Sequence, residues 1–293
     1  MKDLIRKIRS SLEMNQMEFA EGLNVTFATV NRWENGRALP NKLAQTKIYE
    51  LCKERNISVY DMVIEKIKLL SRSLELDHEK VLLYHGSKSG IEGNIVPMSR
   101  KQCDFGKGFY MGTEPGQALT LICDYDKSKF YIVSIDIKDL EILNVPANLD
   151  WAMIVAYHRG RMENIKGTTF YNKYRDMSKD KDLVVGSIAD DRMFYVIDNF
   201  FIGSITDAAL INSLSALELG KQYVAITQKC CDRIKIEREV ELSHLERLSL
   251  KDVAETNRTK GVSLANQICK NYRREGLFFD EIIDQALKEV KHE

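Results

Sequence analysis

The hydrophobic pattern of this 293-residue chain changes period once, near residue 80. Before that point apolar residues recur at helical spacing, as at Leu4, Ile5, Ile8 and Leu12. After it, Val81-Leu82-Leu83-Tyr84 opens a series of short apolar runs with strand character. The others are Phe109 to Thr113, Phe130 to Ile137, Leu183 to Ile188, Gln222 to Thr227 and Ile234 to Leu242. Helical segments lie between them, at Glu114 to Cys123, Trp151 to His158, Arg192 to Phe200 and Thr206 to Leu219. Past residue 242 strand signals stop, and Asp252 to Val290 reads as helices. Such a chain is expected to fold as α+β: an N-terminal all-α bundle, a central mixed or antiparallel β core with helices, and a C-terminal helical tail. The expected boundaries are 1–72, 80–242 and 243–293, with the polar stretch Ser71 to Lys80 as linker.

Composition narrows the setting. With 44% hydrophobic and 29% charged residues, the chain is an ordinary globular one. It has no uninterrupted apolar run of about 18 residues, the length a membrane span needs. Its first residues, MKDLIRKIRSSLEMNQ, lack the apolar centre of a signal peptide. A cytoplasmic protein without membrane contact is therefore expected. Lys+Arg and Asp+Glu balance at 43 each, yet residues 1–70 hold 12 of the former and 9 of the latter. A basic head on an acidic body points to an anionic partner for the head. None of the six cysteines forms a C-x-x-C pair, and no Cys/His cluster has zinc spacing. Reduced thiols and no metal are expected.

The segment Gln16 to Pro40 carries the most local signal. A short helix over Gln16 to Leu23, a turn at Gly22 and Asn24, and a second helix over Phe27 to Glu34 form a helix-turn-helix. Asn35-Gly36 closes the second helix and Pro40 follows as a stop. In that geometry the second helix enters the major groove by its N-terminal end. Thr26, Phe27, Ala28, Thr29, Asn31 and Arg32 would face base edges and phosphates. Gln16 and Arg37 would hold the DNA backbone, and Trp33 would point back into the bundle. The stretch 4–70 resembles the Xre/Cro-type helix-turn-helix domains, most visibly in R-W-E-N-G-R-x-x-P. That resemblance implies DNA as partner and a homodimer on a two-fold site.

Three further fragments bear chemistry. His85-Gly86-Ser87 ends an apolar strand, Phe105-Gly106-Lys107-Gly108-Phe109-Tyr110 forms a glycine-flanked turn, and Gln222-Tyr223 opens a late strand. A histidine at a strand end can donate to a ribose hydroxyl, and a glycine beside it exposes backbone groups that suit a carboxamide. An aromatic ring after a tight turn can stack on a flat heterocycle. Together these suit a dinucleotide bearing a nicotinamide amide.

In combination, and over about residues 81–242, the fragments resemble the ADP-ribosyltransferase fold in its poly(ADP-ribose)-polymerase-like, diphtheria-toxin-like branch. The resemblance rests on H-G-S at His85 to Ser87, F-G-K-G-x-Y at Phe105 to Tyr110, and Gln222-Tyr223. It implies NAD as substrate, with no metal. His85 would hold a ribose hydroxyl, Gly86 would clamp the nicotinamide amide and Tyr110 would stack on the nicotinamide ring. Ser87 and Gly108 would complete the binding motifs. Gln222 stands where the family carries its catalytic glutamate, so chain elongation is not expected. Ala118 and Leu121 align where the family often has a serine and a second stacking tyrosine.

Asp191, in Ala189-Asp190-Asp191-Arg192, is a candidate for the missing charge, and Arg159 a candidate for the pyrophosphate or an ordinary surface arginine. Three readings stay open. The first is a mono-ADP-ribosyltransferase that also binds DNA, in a toxin or defence setting with an antitoxin partner and autoregulation, acting on a protein or nucleic-acid acceptor. The second is a regulator whose degenerate transferase domain senses NAD or ADP-ribose, and the third is an NAD glycohydrolase.

Overall fold

The computed structural model describes residues 1–77, 79–188, 191–217 and 220–290, with side chains for all of these except 191–195, 214, 217, 265, 289 and 290. Five helices come first: α1 (Lys2–Ser11), α2 (Gln16–Leu23), α3 (Phe27–Glu34), α4 (Lys42–Glu54) and α5 (Val59–Arg72). Their limits are set by local chemistry. Asn15 and Glu18 form a reciprocal capping box at the start of α2, and Asn24 ends that helix in the left-handed conformation. The Thr26 side chain caps α3 by accepting from the Thr29 N–H.

The sheet then alternates with helices. In chain order these are β1 (Lys80–Ser87), β2 (Phe109–Gly112), α6 (Pro115–Thr120), β3 (Lys129–Asp136), β4 (Ile142–Val145), α7 (Leu149–His158), α8 (Thr169–Asp176), β5 (Leu183–Ser187), α9 (Asp191–Phe201), α10 (Asp207–Leu217), β6 (Lys221–Ala225), α11 (Gln228–Cys231) and β7 (Ile234–Glu241). Two helices close the chain, α12 (His244–Asn271) and α13 (Phe279–Val290). The seven strands form one open sheet in the order β4-β5-β6-β2-β1-β3-β7. The architecture is α+β, as the periodicity implies.

β1 pairs antiparallel with β3 along its whole length, from Lys80↔Asp136 to Ser87↔Lys129. β2 pairs likewise with β6. Between β1 and β2 the register holds one pair, Tyr84↔Gly112. The sheet is thus two well-laddered halves joined at a narrow seam.

Some elements depart from the sequence expectation. Strand β4, parallel to β5, is a four-residue strand with little buried surface, too short to show a period. Helix α8 lies in a strongly polar segment, TFYNKYRD, whose two fully buried residues are tyrosines. Helix α12 begins at His244, eight residues before the expected start, because Ser243 and Glu246 form a capping box there.

The N-terminal helices do not stand apart. Ile5, Phe19, Val30, Ile48 and Ile67 share one apolar cluster with Tyr84, Ala118, Phe130, Ile132, Leu245 and Leu250. Ser71 at the end of α5 bonds the Tyr84 hydroxyl at 3.0 Å. The N-terminal bundle, one face of the sheet and the start of α12 therefore share a core. Leu250→Ala is expected to cost about 3 kcal/mol, the usual scale for emptying a buried leucine site. Calorimetry should show one unfolding transition, displaced to lower temperature in the variant. Two separate transitions would contradict a shared core.

Candidate functional site

The helix-turn-helix surface is built around a buried carboxylate. Glu34 at the end of α3 is 2% exposed. It accepts from Arg9 Nε at 2.6 Å and from Gln16 Nε2 at 2.6 Å, tying α1 and α2 to α3. Burial alone would raise the Glu34 carboxyl, but the hydrogen bonds from Arg9 and Gln16 overcome it and hold the group below the usual carboxylate range. Asn31 Nδ2 donates to Gln16 Oε1 at 3.4 Å, and Asn35 Nδ2 donates to Asn31 Oδ1 at 3.1 Å. Gln16 and Asn31 are thereby held in fixed orientation at the helix-turn-helix. Thr26, Phe27 and Ala28 are exposed at the start of α3, with Thr29 half-buried beside them. The Thr26 and Thr29 hydroxyls bond each other at 2.9 Å. Arg32 and Arg37 are exposed, and Trp33 is buried in the bundle.

A second site lies on the sheet. Tyr110 on β2 and Gln222 on β6 line a cavity of about 640 Å³ together with Arg159, at the end of α7. Arg100, Arg161 and Arg258 also line it, against the carboxylates of Asp104 and Asp198. Four guanidinium groups around one cavity suit an anion, because arginine donors match phosphate and carboxylate oxygens in pairs. Gln117 and Thr120 of α6, with Leu121, and Ala254, Asn257 and Arg258 of α12 form part of its wall.

Within the cavity the polar groups are chained. Gln222, 8% exposed, donates from Nε2 to the Ser187 carbonyl at 2.9 Å and to Asp104 Oδ2 at 3.5 Å. Asp104 Oδ1 accepts from Arg159 Nη2 at 2.6 Å and Nε at 3.2 Å. Arg159 is thus a cavity arginine, not a surface one; its side chain is 13% exposed. The Tyr110 hydroxyl donates to the Gly106 carbonyl at 2.8 Å and accepts from the Phe105 N–H at 3.1 Å. Burial pushes that phenol up, so it stays protonated. With its hydroxyl tied into the 105–108 loop, Tyr110 offers the cavity its ring.

The other motif residues lie elsewhere. The His85 ring stacks on Phe109 at 4.2 Å between centroids, on the sheet face opposite Tyr110 and Gln222. His85 Nδ1 donates to the Tyr110 carbonyl at 2.7 Å, since a carbonyl only accepts. Burial lowers its pKa, so the ring is neutral and Nε2 is an acceptor. His85 therefore accepts where a donor was expected, and it does not line the cavity.

Gly86 is covered by α6: a Cβ there would stand 2.4 Å from the Ala118 carbonyl oxygen. Its glycine identity follows from that contact. Ser87 donates its hydroxyl to the Gly90 carbonyl at 2.8 Å. Both backbone groups of Gly108 are engaged by Ser99: the Gly108 N–H donates to Ser99 Oγ at 3.0 Å and its carbonyl accepts from the Ser99 N–H at 3.1 Å. Asp191 opens α9, but its side chain lies outside the described residues, as do Ala189 and Asp190.

Asp104, Arg100, Arg161 and Arg258 are cavity residues the sequence reading did not single out. Asp104 stands next to the F-G-K-G motif, so its position was a usable signal. Arg258 is brought in by α12 from about 150 residues away and has no local signature. Among the described residues no group of three or more His, Cys, Asp or Glu side chains is placed to hold a metal ion. No described helix is long and apolar enough to cross a membrane.

A helix-turn-helix reader joined to an α+β domain with an arginine-lined cavity is what the fold and site define. Residues 81–236, more than half of the chain, match the family described as "Protein of unknown function (DUF3990)", and the chain belongs to that family. Residues 5–44 match the family described as "Helix-turn-helix", which supports a DNA-binding role for the N-terminal helices. No curated protein and no solved structure matches the chain.

His158, the last residue of α7, lies against the motif loop. Gly106 has φ +74, and a Cβ on it would stand 2.7 Å from His158 Nδ1, so both conformation and space demand glycine. His158 Nε2 is buried with no hydrogen-bond partner among the described residues, and burial pushes the ring pKa down to about 4. A histidine depressed in the fold weakens stability as pH falls below its unfolded value, with the full loss reached near the folded value. Between pH 6.5 and 4 the loss is on the order of 3 kcal/mol. Thermal midpoints measured across that range should fall more steeply for the native chain than for His158→Gln.

Proposed function

We propose that the central domain is an NAD-dependent mono-ADP-ribosyltransferase and that the N-terminal helix-turn-helix carries it to DNA. The observation that supports this best is the meeting of Tyr110, Gln222 and Arg159 in one arginine-lined cavity. In size the cavity suits a dinucleotide. The Tyr110 ring offers a stacking surface for the nicotinamide, and Arg159 with its neighbours offers donors for the pyrophosphate.

The chemistry follows from these groups. The bond between ribose C1 and the nicotinamide nitrogen breaks, and its electron pair leaves with nicotinamide. Positive charge builds at C1 and is relieved when an acceptor nucleophile bonds there and gives up its proton. Gln222 donates to Ser187 and Asp104, leaving its amide oxygen to accept from a ribose hydroxyl. The carboxylate of Asp104, behind Gln222, is the acidic group nearest that place among the described cavity residues. His85 is a positioning residue in this scheme: through the Tyr110 carbonyl it fixes the strand that presents the Tyr110 ring.

Without a glutamate at position 222, transfer of a single ADP-ribose to a protein or nucleic-acid acceptor is the reaction proposed. A two-fold DNA site read by a homodimer, with an antitoxin partner and autoregulation, is the proposed setting.

The test is incubation of the purified chain with labelled NAD and cell lysate, following nicotinamide release and label transfer together. Label on a macromolecule, lost in Tyr110→Ala and Arg159→Ala, is the expected result. Free ADP-ribose alone would make the protein a hydrolase, and absence of turnover would overturn the proposal. Gln222→Glu replaces the amide donor by a carboxylate oxygen set against the Ser187 carbonyl and Asp104, and is expected to lower the thermal midpoint of the chain.

A further inference from the structure

The cavity wall and the support of the helix-turn-helix are the same two elements. Helix α6 gives Gln117 and Thr120 to the cavity. One residue earlier, Gly116 faces α5 so closely that a Cβ would stand 2.4 Å from the Tyr60 hydroxyl. Helix α12 gives Ala254, Asn257 and Arg258 to the cavity. Its first turns hold the N-terminal bundle through polar contacts. The Leu245 N–H donates to Gln45 Oε1 at 2.9 Å, and Thr46 Oγ1 meets His244 Nε2 at 3.1 Å. Lys66 bonds Glu246 at 2.9 Å and Lys53 bonds Asp252 at 3.0 Å. Between Asp252 and Arg258 lie fewer than two helical turns.

From this juxtaposition we infer that a pyrophosphate-bearing ligand in the cavity changes the affinity of the helix-turn-helix for DNA. The ligand is held between Arg100, Arg159 and Arg161 on one side and Asn257 and Arg258 of α12 on the other. Its charge draws α12 toward the sheet side of the cavity. Whatever displacement α12 undergoes is passed to α4 and α5, to which its first turns are bonded. The recognition helix α3 is fixed to α1 and α2 through Glu34, so the reading surface moves with the bundle as a unit. The coupling is reciprocal: DNA must change the ligand's affinity by the same factor. The inference rests on the cavity binding such a ligand, as proposed above, and not on turnover.

ADP-ribose is the probe, because it carries the pyrophosphate and both riboses without a scissile nicotinamide bond. A DNA duplex is first selected from a random pool by the full chain. Its Kd is then measured by fluorescence anisotropy with and without saturating ADP-ribose, and ADP-ribose binding is measured by calorimetry. A change in DNA Kd of roughly fivefold or more is expected. Arg258→Ala should weaken ADP-ribose binding, while Thr46→Ala/Lys53→Ala should keep that binding and reduce the effect on DNA. ADP-ribose binding with an unchanged DNA Kd would overturn the coupling and leave the cavity reading intact. Failure of ADP-ribose to bind the native chain would overturn the cavity reading and this inference with it.

Discussion

Strands β1 and β2 meet at a single register position, while each is fully laddered to its other neighbour. The rest of the central domain is arranged around that seam. His85 fills the opening from one face and takes the Tyr110 carbonyl. On the other face α6 lies across Gly86 so closely that no side chain fits there. The loop that precedes β2 folds back onto Tyr110 through two hydrogen bonds, which aims the ring and spends the hydroxyl. A continuous ladder between β1 and β2 would leave His85 no backbone carbonyl to hold.

Two buried carboxylates do comparable work in different places. Glu34 draws α1, α2 and α3 together, and Glu246 anchors the start of α12 to Lys66 of α5. For each, burial would raise the carboxyl, and cationic and hydrogen-bonding partners bring it back below the usual range. Removing one partner from such a pair leaves an uncompensated charge, which is far costlier than the pair is favourable. These contacts therefore fix geometry more than they add stability. One fixes the orientation of the reading helix within its bundle, and the other fixes the bundle against the tail.

Much of the fold was legible in the sequence, since long periodic segments such as Lys129–Asp136 and Val59–Arg72 announce their type. Short or polar elements were not: β4 has four residues, and α8 buries tyrosines that read as polar surface. The candidate site was legible where a motif is contiguous, as at Phe105 to Tyr110. It was less so where the motif residue had a structural reason of its own. Gly86 and Gly108 are glycines because backbone and side chains pack on them, a fact that spacing does not carry. The guanidinium of Arg258 enters the cavity through tertiary packing of a tail whose polar sequence gives no hint of a site. Nothing in the sequence around Arg159 separates a cavity arginine from a surface one; its pairing with Asp104 does.

The length of α12 has a mechanical consequence. Its 28 residues span about 42 Å at the usual helical rise. Its first turns are clamped to the N-terminal bundle, and its remainder packs along α9 and α10. A rigid rod seated along its later turns converts a small tilt into a large excursion at its first turn, where the bundle is bonded: roughly 5° becomes about 3.7 Å over that length. Adjustment of a single side chain in the cavity is thus magnified to the scale on which a recognition helix gains or loses its fit to a groove.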